Sequence, residues 1–182
     1  MAKMCTFLIL SSLLIAATNA TSSNIYDSRS NEKRPSNIRF YVQDALSGPK
    51  ATVWEVARAS ITSKSSTTFG QVSVVDDLLT VSPDPNSEEM GRVQGLITSA
   101  DMKVSGIAMN LNFIFTSGRY NGSTLSILGR NQIRSGTREL PVVGGTGVFR
   151  MAHGFAITST HSFDPNTNHG VLEYDVTLFY YA

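Results

Sequence analysis

The middle of the chain alternates strictly between large apolar side chains and mostly small or polar ones. Between residues 107 and 116, the large apolar residues at every second position are Ile107, Met109, Leu111, Phe113 and Phe115. Successive side chains of an extended chain point to opposite faces, so this pattern predicts a strand with one buried face. It is the clearest strand signal in the sequence.

The same two-residue period recurs along the chain, and no segment shows a convincing helical period. We predict further strands near residues 38–43, 51–57, 69–76, 93–99, 123–128, 148–160 and 171–180. Many short strands separated by Gly, Pro, Ser and Asn turns are typical of an all-β barrel or sandwich. The succession of hairpins favours an eight-stranded antiparallel up-and-down β-barrel. Such a barrel has no open sheet edges and can hold one small ligand.

A glycine-rich stretch between residues 138 and 150 reads Arg-Glu-Leu-Pro-Val-Val-Gly-Gly-Thr-Gly-Val-Phe-Arg. Glycines this dense indicate a backbone that needs positive φ or close approach to another segment. A nucleotide cradle is excluded, because the stretch has no Walker lysine, no dinucleotide glycine spacing and no following helix pattern. We predict a tight connection between strands that holds Arg138 beside the cavity.

The N-terminus predicts export and a single domain. Lys3 precedes an apolar run at residues 7–17, and small residues at Thr18 and Ala20 match the positions that a signal peptidase recognises. We therefore predict a cleaved secretory signal over residues 1–20. The run is too short to span a bilayer. Residues 21–36 are polar and are predicted to form a disordered arm. The barrel domain is then expected at residues 37–182.

Composition removes several classes of chemistry. Cys5 is the only cysteine and lies in the predicted signal, so the mature protein would have no disulfide, thiolate metal site or catalytic thiol. No histidine cluster or nucleophile elbow is present, and we predict no cofactor and no metal. The net charge of +1 gives no reason to expect nucleic acid or an acidic membrane surface as partner. Asn121-Gly122-Ser123 is a sequon that predicts glycosylation of Asn121.

Three acids are candidates for chemistry. Asp44 continues the apolar phase of the first strand, so it either faces the interior as a functional carboxylate or opens the following turn. Asp76 and Asp77 are adjacent and face opposite sides of a strand, so they do not form a facing pair with each other. They either end the strand, or one of them lines a cavity and is poised by burial for proton transfer.

Arg138 is the candidate cation, because it precedes an apolar pair and the glycine stretch. Its permanently charged donor fork suits a phenolate or a buried carboxylate. The alternative is a surface ion pair with Glu139 or another acid, which would contribute little.

Several blocks together resemble the plant dirigent protein family. In chain order they are Phe40-Tyr41-Val42-Gln43-Asp44, Val74-Val75-Asp76-Asp77-Leu78-Leu79-Thr80, Gly91-Arg92-Val93-Gln94-Gly95, Tyr120-Asn121-Gly122-Ser123 with Leu128-Gly129-Arg130-Asn131, and the stretch from Arg138 to Gly147 followed by Phe149-Arg150-Met151-Ala152-His153-Gly154. Each block alone is weak, but they run in family order over nearly the whole mature chain.

The resemblance implies an eight-stranded up-and-down barrel, usually a homotrimer, secreted to the apoplast. Dirigent proteins bind phenoxy radicals made by a separate laccase or peroxidase and direct their coupling, as in lignan biosynthesis. Carried over by matching positions, Asp44, Asp76 and Arg138 become the expected catalytic residues. Aromatic faces at Phe40, Phe113 or Tyr120 are expected to orient phenolic rings.

Asn131 is a departure from the lignan-forming pattern. Family members that make pinoresinol tend to carry Asp a few residues before the arginine, where this chain has Asn131. The chain is therefore more similar to the branch that includes pterocarpan synthases and gossypol-type dirigents, and Asn131 joins the expected substrate-binding residues. Three hypotheses follow: a non-enzymatic guide of radical coupling, a dehydratase or cyclase acting through a quinone methide, and a non-catalytic phenolic-binding wall protein.

Overall fold

The computed structural model describes residues 33–181, and this part of the chain is almost entirely β-sheet. The signal predicted at residues 1–20, and most of the predicted arm, lie outside the described residues. The strands are β1 (Lys33–Ala45), β2 (Val53–Arg58), β3 (Gln71–Thr80), β4 (Glu89–Ser99), β5 (Gly106–Phe115), β6 (Thr124–Gln132), β7 (Arg138–Thr146), β8 (His153–Asp164) and β9 (His169–Tyr181). Three short 3₁₀ turns lie at Thr62–Lys64, Gly118–Tyr120 and Gly147–Phe149.

Eight of these strands close into an antiparallel barrel, which confirms the predicted fold. Consecutive strands from β3 to β9 pair in chain order, and β9 pairs with β1 along its whole length. β1 then closes the ring on β3 through pairs such as Val42↔Leu79. β2 covers the remaining part of the same edge of β3, from Val53↔Val75 to Arg58↔Gln71. Closure leaves most backbone groups of the eight strands paired.

The first strand begins earlier than predicted. β1 starts at Lys33, which pairs with Tyr181 of β9, so residues 33–36 belong to the barrel and not to the arm. Three of these four residues are polar and the fourth is Pro35, and they pair with β9 through the backbone. A strand of this kind gives no alternation signal, and the sequence therefore placed the boundary four residues too late.

The alternation predicted for β5 is what fills the barrel. Met109, Leu111, Phe113 and Phe115 are all buried, and the residues between them face outward. The other strands contribute inner faces in the same way, including Phe40 of β1, which is fully buried. The core therefore sits inside the barrel and follows directly from the two-residue period.

β7 is a strand, whereas the sequence predicted a connection between strands here. Arg138 and Leu140 face inward along β7, and Pro141 lies opposite Phe155 of β8. Proline cannot donate to a ladder, and the β6–β7 pairing accordingly stops at Ile127↔Val142. Proline and the glycines hid this strand because they are typical of turns.

The glycine stretch serves one end of the barrel. A side chain at Gly145 would collide with the carbonyl of Thr124 at 2.4 Å and with Cβ of Phe149 at 2.7 Å. Gly147 has a φ of 62° and opens the turn that inserts Phe149 into the core. The prediction of a tight connection is correct, but it lies at the opposite end of β7 from Arg138. It therefore does not hold Arg138 in place.

The loops fall into two groups at opposite ends of the barrel. The connections after β1, β2, β4, β6 and β8 lie at what we call the open end, and those after β3, β5 and β7 lie at the closed end. Among residues 33–181, no helix is long and apolar enough to cross a membrane.

Candidate functional site

A cavity of about 420 Å³ lies inside the open end of the barrel. Its walls come from the inner faces of β1, β3, β4, β5, β6, β7, β8 and β9, and from Val53 at the start of β2. Most of the lining is aliphatic, and five polar or charged residues on the inner wall stand out: Asp44, Asp77, Asn131, Arg138 and Tyr174. A volume of this size accommodates one small aromatic molecule.

Asp44 and Asp77 form an acidic pair on adjacent strands. The β1–β3 register runs from Tyr41↔Thr80 to Gln43↔Leu78, so one further step places Asp44 opposite Asp77. Directly opposed residues on one face of an antiparallel pair have their Cβ atoms about 5 Å apart. Both Oδ1 atoms are buried without a hydrogen-bond partner. The pair is therefore available to a ligand in the cavity.

Burial raises the pKa of both acids of this pair. It raises the pKa of Asp44 to about 6. Burial, followed by the charge of Asp44, raises the pKa of Asp77 to about 7, while the Thr52 side chain acts in the opposite direction. An uncharged carboxyl can donate a proton and a carboxylate can accept one, so the pair can do both near neutral pH.

Asp76 does not reach the cavity, and the prediction that it lines the site is wrong. Its carboxylate accepts hydrogen bonds from Nε of Arg92 at 2.8 Å and from Gln94 at 3.2 Å on the outer surface. Asp77 takes the inward position because it pairs with Val93, whose side chain is buried in the core. Ser73, Val75 and Leu79 are the buried residues of β3 and Val74 is exposed, so Asp76 has the outward phase of Val74.

Arg138 reaches the cavity from the start of β7. Its side chain is only 7% exposed, and its guanidinium donates to the carbonyls of Ile133 at 3.2 Å and Thr158 at 3.4 Å. A third hydrogen bond goes to the hydroxyl of Thr160 at 3.3 Å. Nη2 is buried and has no partner. The predicted alternative of a surface ion pair with Glu139 is wrong, since the ion pairs of residues 33–181 do not include Arg138.

The acids and the guanidinium stand on opposite walls. Around the ring, β7 is three strands from β1 through β9 and β8, and four strands from β3 through β4, β5 and β6. Burial raises the pKa of Tyr174 on β9 to about 12; among the smaller influences are the charges of Arg138, Asp44 and Asp77. Tyr174 therefore lies between the two walls and stays neutral.

Asn131 lines the cavity, as expected for a substrate-binding residue. It is 4% exposed, and its Nδ2 atom lies 3.2 Å from the sulfur of Met109. Its Oδ1 atom is buried without a partner. Because an amide carries no charge, Asn131 offers a ligand an acceptor without neutralising Arg138.

The other three expected substrate-binding residues lie below the cavity. Phe40 packs against Phe113 at 5.1 Å between ring centroids, and Tyr120 packs against Phe149 at 4.8 Å near the closed end. Phe40, Phe113 and Tyr120 are absent from the cavity wall, so the expectation that they contact substrate there is wrong. Their apolar phase was correct, but alternation fixes which face a residue takes and not its height in the barrel.

Tyr174 was missed although the sequence held a signal for it, and Asp77 was named only as an alternative to Asp76. Tyr174 belongs to the inward phase of Leu172, Val176 and Leu178 on β9. It stacks on Phe40 with centroids 5.6 Å apart and forms part of the cavity floor. Asp77 follows the phase of the buried Val75. Residues 33–181 contain no group of three or more His, Cys, Asp or Glu side chains that could hold a metal ion.

Comparisons with known proteins show the family and the fold of this chain. The family model described as Dirigent-like protein matches residues 35–179. The chain is 45% identical over 144 residues to Dirigent protein 23 of Arabidopsis thaliana, which covers 79% of this chain and 77% of that protein. It is 38% identical to Pterocarpan synthase 1 of Glycyrrhiza echinata over the full length of both. The solved structure of the pterocarpan synthase dirigent protein GePTS1 superposes with a TM-score of 0.77 at 39% identity, covering 83% of this chain and 93% of that one.

Proposed function

Because this chain belongs to the dirigent-like protein family, we propose that its cavity binds a phenolic molecule and directs the stereochemistry of a bond formed there. The observation that carries the proposal is the arrangement of the cavity wall. A single buried guanidinium faces a pair of carboxyls whose pKa values are raised by burial, across an apolar space of about 420 Å³. A flat ring system with an oxygen at each end matches that arrangement.

Each polar group has a role in binding. The unpartnered Nη2 of Arg138 donates to a phenolic oxygen, and it binds more strongly as that oxygen gains negative charge. Asp44 and Asp77 contact hydroxyl groups at the other end of the ligand. Tyr174 and the aliphatic lining exclude water and hold one face of the ring.

Coupling of phenoxy radicals is the first candidate reaction. An external laccase or peroxidase removes one electron and one proton from each of two phenols, and two radicals then form one bond to give a quinone methide. An internal hydroxyl adds to the quinone methide and loses its proton, while the quinone methide oxygen gains one. The acid pair can transfer these protons, and Arg138 can hold the oxygen that becomes phenolic.

Stereochemical analysis tests this candidate. The protein is incubated with a laccase and a panel of phenols that includes coniferyl alcohol, and the enantiomers are separated by chiral chromatography. We expect one enantiomer in excess for at least one phenol, and a racemate when Asp77→Asn replaces the wild type. Racemic products throughout the panel would contradict a guiding role.

A dehydratase is the second candidate, and the raised pKa of Asp77 favours it. Asp77 protonates a benzylic hydroxyl, which leaves as water, and the para or ortho phenol loses its proton to give a quinone methide. A second phenolic hydroxyl then adds to the methide carbon and returns its proton to the acid pair, while the quinone methide oxygen regains the proton that the first phenol lost. The sum is the loss of one water, and no oxidant is needed. The 38% identity to Pterocarpan synthase 1 supports this candidate.

The dehydratase test omits the oxidase. The protein alone is mixed with a hydroxylated isoflavan bearing a free phenol, and loss of water is followed by mass spectrometry. We expect turnover that fails with Asp77→Asn and with Arg138→Met. Absence of turnover for every stereoisomer would exclude the dehydratase for that substrate. Ligand binding that survives both substitutions without any stereochemical effect would instead indicate a non-catalytic phenolic-binding protein.

We also propose that the protein is secreted and glycosylated at Asn121. The signal-like N-terminus supports secretion, and the exposed position of Asn121 at the closed end leaves the cavity mouth clear of a glycan. Peptide mass mapping of the protein from culture medium, before and after deglycosylation, tests both points. A chain that starts at residue 1, or an unmodified Asn121 in plant-made protein, would contradict them.

A homo-oligomer is the remaining part of the proposal. Val143 on β7 and Phe155 on β8 are exposed on the outer wall, beside His153. Apolar side chains on an outer barrel wall are typical of an interface between subunits. Light scattering after size-exclusion chromatography should give a mass of several chains, and Phe155→Asp should reduce it. A monomeric wild type would contradict the proposal.

A further inference from the structure

A ring of exposed apolar side chains surrounds the mouth of the cavity. Most of the connections at the open end carry at least one exposed apolar side chain. The hairpin between β8 and β9 has such a side chain at the end of β8. We call this set the open rim: Leu46, Ile61, Met102, Val104, Ile133 and Phe163. The side chains of Met102 and Ile61 are 65% and 50% exposed. Leu46, Ile133 and Phe163 also line the cavity, so the rim and the cavity share one apolar surface.

The loops that carry the rim contact one another. The hydroxyl of Thr67 donates to the carbonyl of Asp101 at 2.6 Å, which joins the loop before β3 to the loop before β5. Nε of Arg134 donates to the hydroxyl of Ser105 at 3.1 Å, which joins the loop before β7 to the loop before β5. These contacts hold the apolar tips in a defined arrangement.

Unpaired cations lie between the apolar tips. Lys50, Lys64, Lys103 and Arg134 are all exposed in open-end loops, and none takes part in the ion pairs of residues 33–181. The net charge of +1 conceals this concentration, because Asp84, Glu88 and Glu89 lie at the closed end.

The acids of the open-end loops are engaged locally. Asp101 pairs with Arg130 at 2.8 Å and accepts the backbone N–H groups of Lys103 and Val104. Asp164 accepts hydrogen bonds from Asn166 and Thr167 within its own turn. The cations are therefore not neutralised by their neighbours.

A polar groove between three of these loops fits an anionic head group. Its wall contains Lys103, Arg134 and the hydroxyl residues Ser66, Thr67, Ser105 and Ser135, and no acid. It lies beside the apolar tips Val104 and Ile133, since Val104 is in the groove wall and Ile133 stands between Gln132 and Arg134 of that wall. Two cations and several hydroxyls match the oxygens of a phosphate group.

We propose that the open rim docks on the surface of an anionic phospholipid bilayer, with the cavity mouth facing the membrane. Apolar tips interspersed with Lys and Arg are the composition of surfaces that insert into the boundary between head groups and acyl chains. An apolar ligand dissolved in the bilayer would enter the cavity without crossing water. This proposal rests on the loops and not on the chemistry inside the cavity.

Vesicle flotation tests the proposal. The purified protein is mixed with vesicles of phosphatidylcholine alone or of phosphatidylcholine with phosphatidylserine, and the bound fraction is measured. We expect binding to the anionic vesicles that weakens as salt is raised. Ile61→Ser with Met102→Ser should lower it about tenfold, because the inserted apolar area is lost. Lys64→Gln with Lys103→Gln should also lower it about tenfold.

Matched substitutions at the closed end are the controls. Val81→Ser with Val148→Ser, and Arg119→Gln with Arg150→Gln, remove comparable exposed side chains and should change binding by less than about twofold. No flotation of the wild type with anionic vesicles would overturn the proposal, as would equal losses in the control variants. If Ile61→Ser with Met102→Ser reduced the oligomer mass in vesicle-free solution, the rim would be an interface between copies and the proposal would again fail.

Discussion

The two ends of this barrel are built from the same alternating strands but hold opposite kinds of interior. At the closed end, Phe115, Tyr120 and Phe149 pack with ring centroids 4.8 to 5.7 Å apart. At the open end, the inner faces line a cavity. Among residues 33–181, the buried side-chain atoms without a hydrogen-bond partner include one each from Asp44, Asp77, Asn131 and Arg138, all on the cavity wall.

The closed end of the barrel therefore contributes mainly to stability, and the open end mainly to ligand binding. A dense aromatic plug contributes dispersion and burial, whereas unpartnered polar atoms cost free energy that a bound ligand would recover. Sites of chemistry commonly lower the stability of the fold that holds them. Substitutions at the closed end should therefore affect mainly folding, and substitutions on the cavity wall mainly ligand binding.

The largest effect is expected at the closed end. Phe149→Ala removes a fully buried ring that contacts Phe115, Tyr120 and Tyr180. It should lower the free energy of unfolding by about 3–5 kcal/mol, as ring deletions in cores do. Urea denaturation measures the change. Phe163→Ala at the cavity mouth, where the ring is half exposed, is the matched control and should cost less than half as much. Equal losses of unfolding free energy in the two variants would contradict the proposed difference between the two ends of the barrel.

Replacement of the cavity acid Asp77 should stabilise the protein, in contrast to Phe149→Ala. The pKa of Asp77 is raised in the folded protein, so its ionisation disfavours folding; the cost appears above pH 4 and is complete above about pH 7. Asp77→Asn should therefore stabilise the protein at pH 8 by an amount on the order of 2 kcal/mol, and change little at pH 4. Thermal unfolding across this pH range measures the difference. Destabilisation at pH 8 would show that Asp77 has a structural role.

Arg138 should matter for affinity. Arg138→Met removes the free N–H group and should weaken binding of a phenol about tenfold, because a charged hydrogen bond is lost. Calorimetric titration with the phenol and with its methyl ether gives an internal control. The ether cannot become a phenolate, so the substitution should affect it less. Similar losses for both ligands would argue against contact between Arg138 and the phenolic oxygen.

The smallest effect is expected at Asp76. Its carboxylate is 55% exposed and pairs with Arg92 on the outer wall. Asp76→Asn should change the free energy of unfolding by less than about 0.5 kcal/mol, as exposed ion pairs contribute little. The variant should also bind phenols as the wild type does. An effect as large as that of Asp77→Asn would mean that the inner and outer faces of β3 have been exchanged.

Period-two alternation was enough to predict strands with one buried face, and the succession of hairpins then favoured a barrel over a sandwich. Alternation failed at β7, where Pro141 and the glycines gave a turn signal, and at residues 33–36, where pairing uses only the backbone. In the site, Asp44 and Arg138 were found by residue type and resemblance. Asp76 was carried over by the resemblance instead of Asp77. The pattern of β3 could not correct this choice, because the neighbouring valines, Val72, Val74 and Val75, occupy both faces.

Height along the barrel could not be obtained from the sequence. Phe40, Phe113 and Tyr174 all have the correct inward phase, but only Tyr174 lines the cavity. Which inward residues line a cavity depends on strand stagger and on how the rings of facing strands pack. Neither is encoded in the pattern of a single strand.

The most direct test of the central claim compares two adjacent acids in one reaction. Asp77→Asn and Asp76→Asn make the same chemical change on opposite faces of β3, and the enantiomeric excess of the product is measured for each with a phenol on which the wild type acts. The account predicts that Asp76→Asn retains the wild-type enantiomeric excess. Asp77→Asn should give a nearly racemic product if the reaction is radical coupling with an oxidase, and no product if it is dehydration without an oxidase. Full stereoselectivity in Asp77→Asn would contradict it.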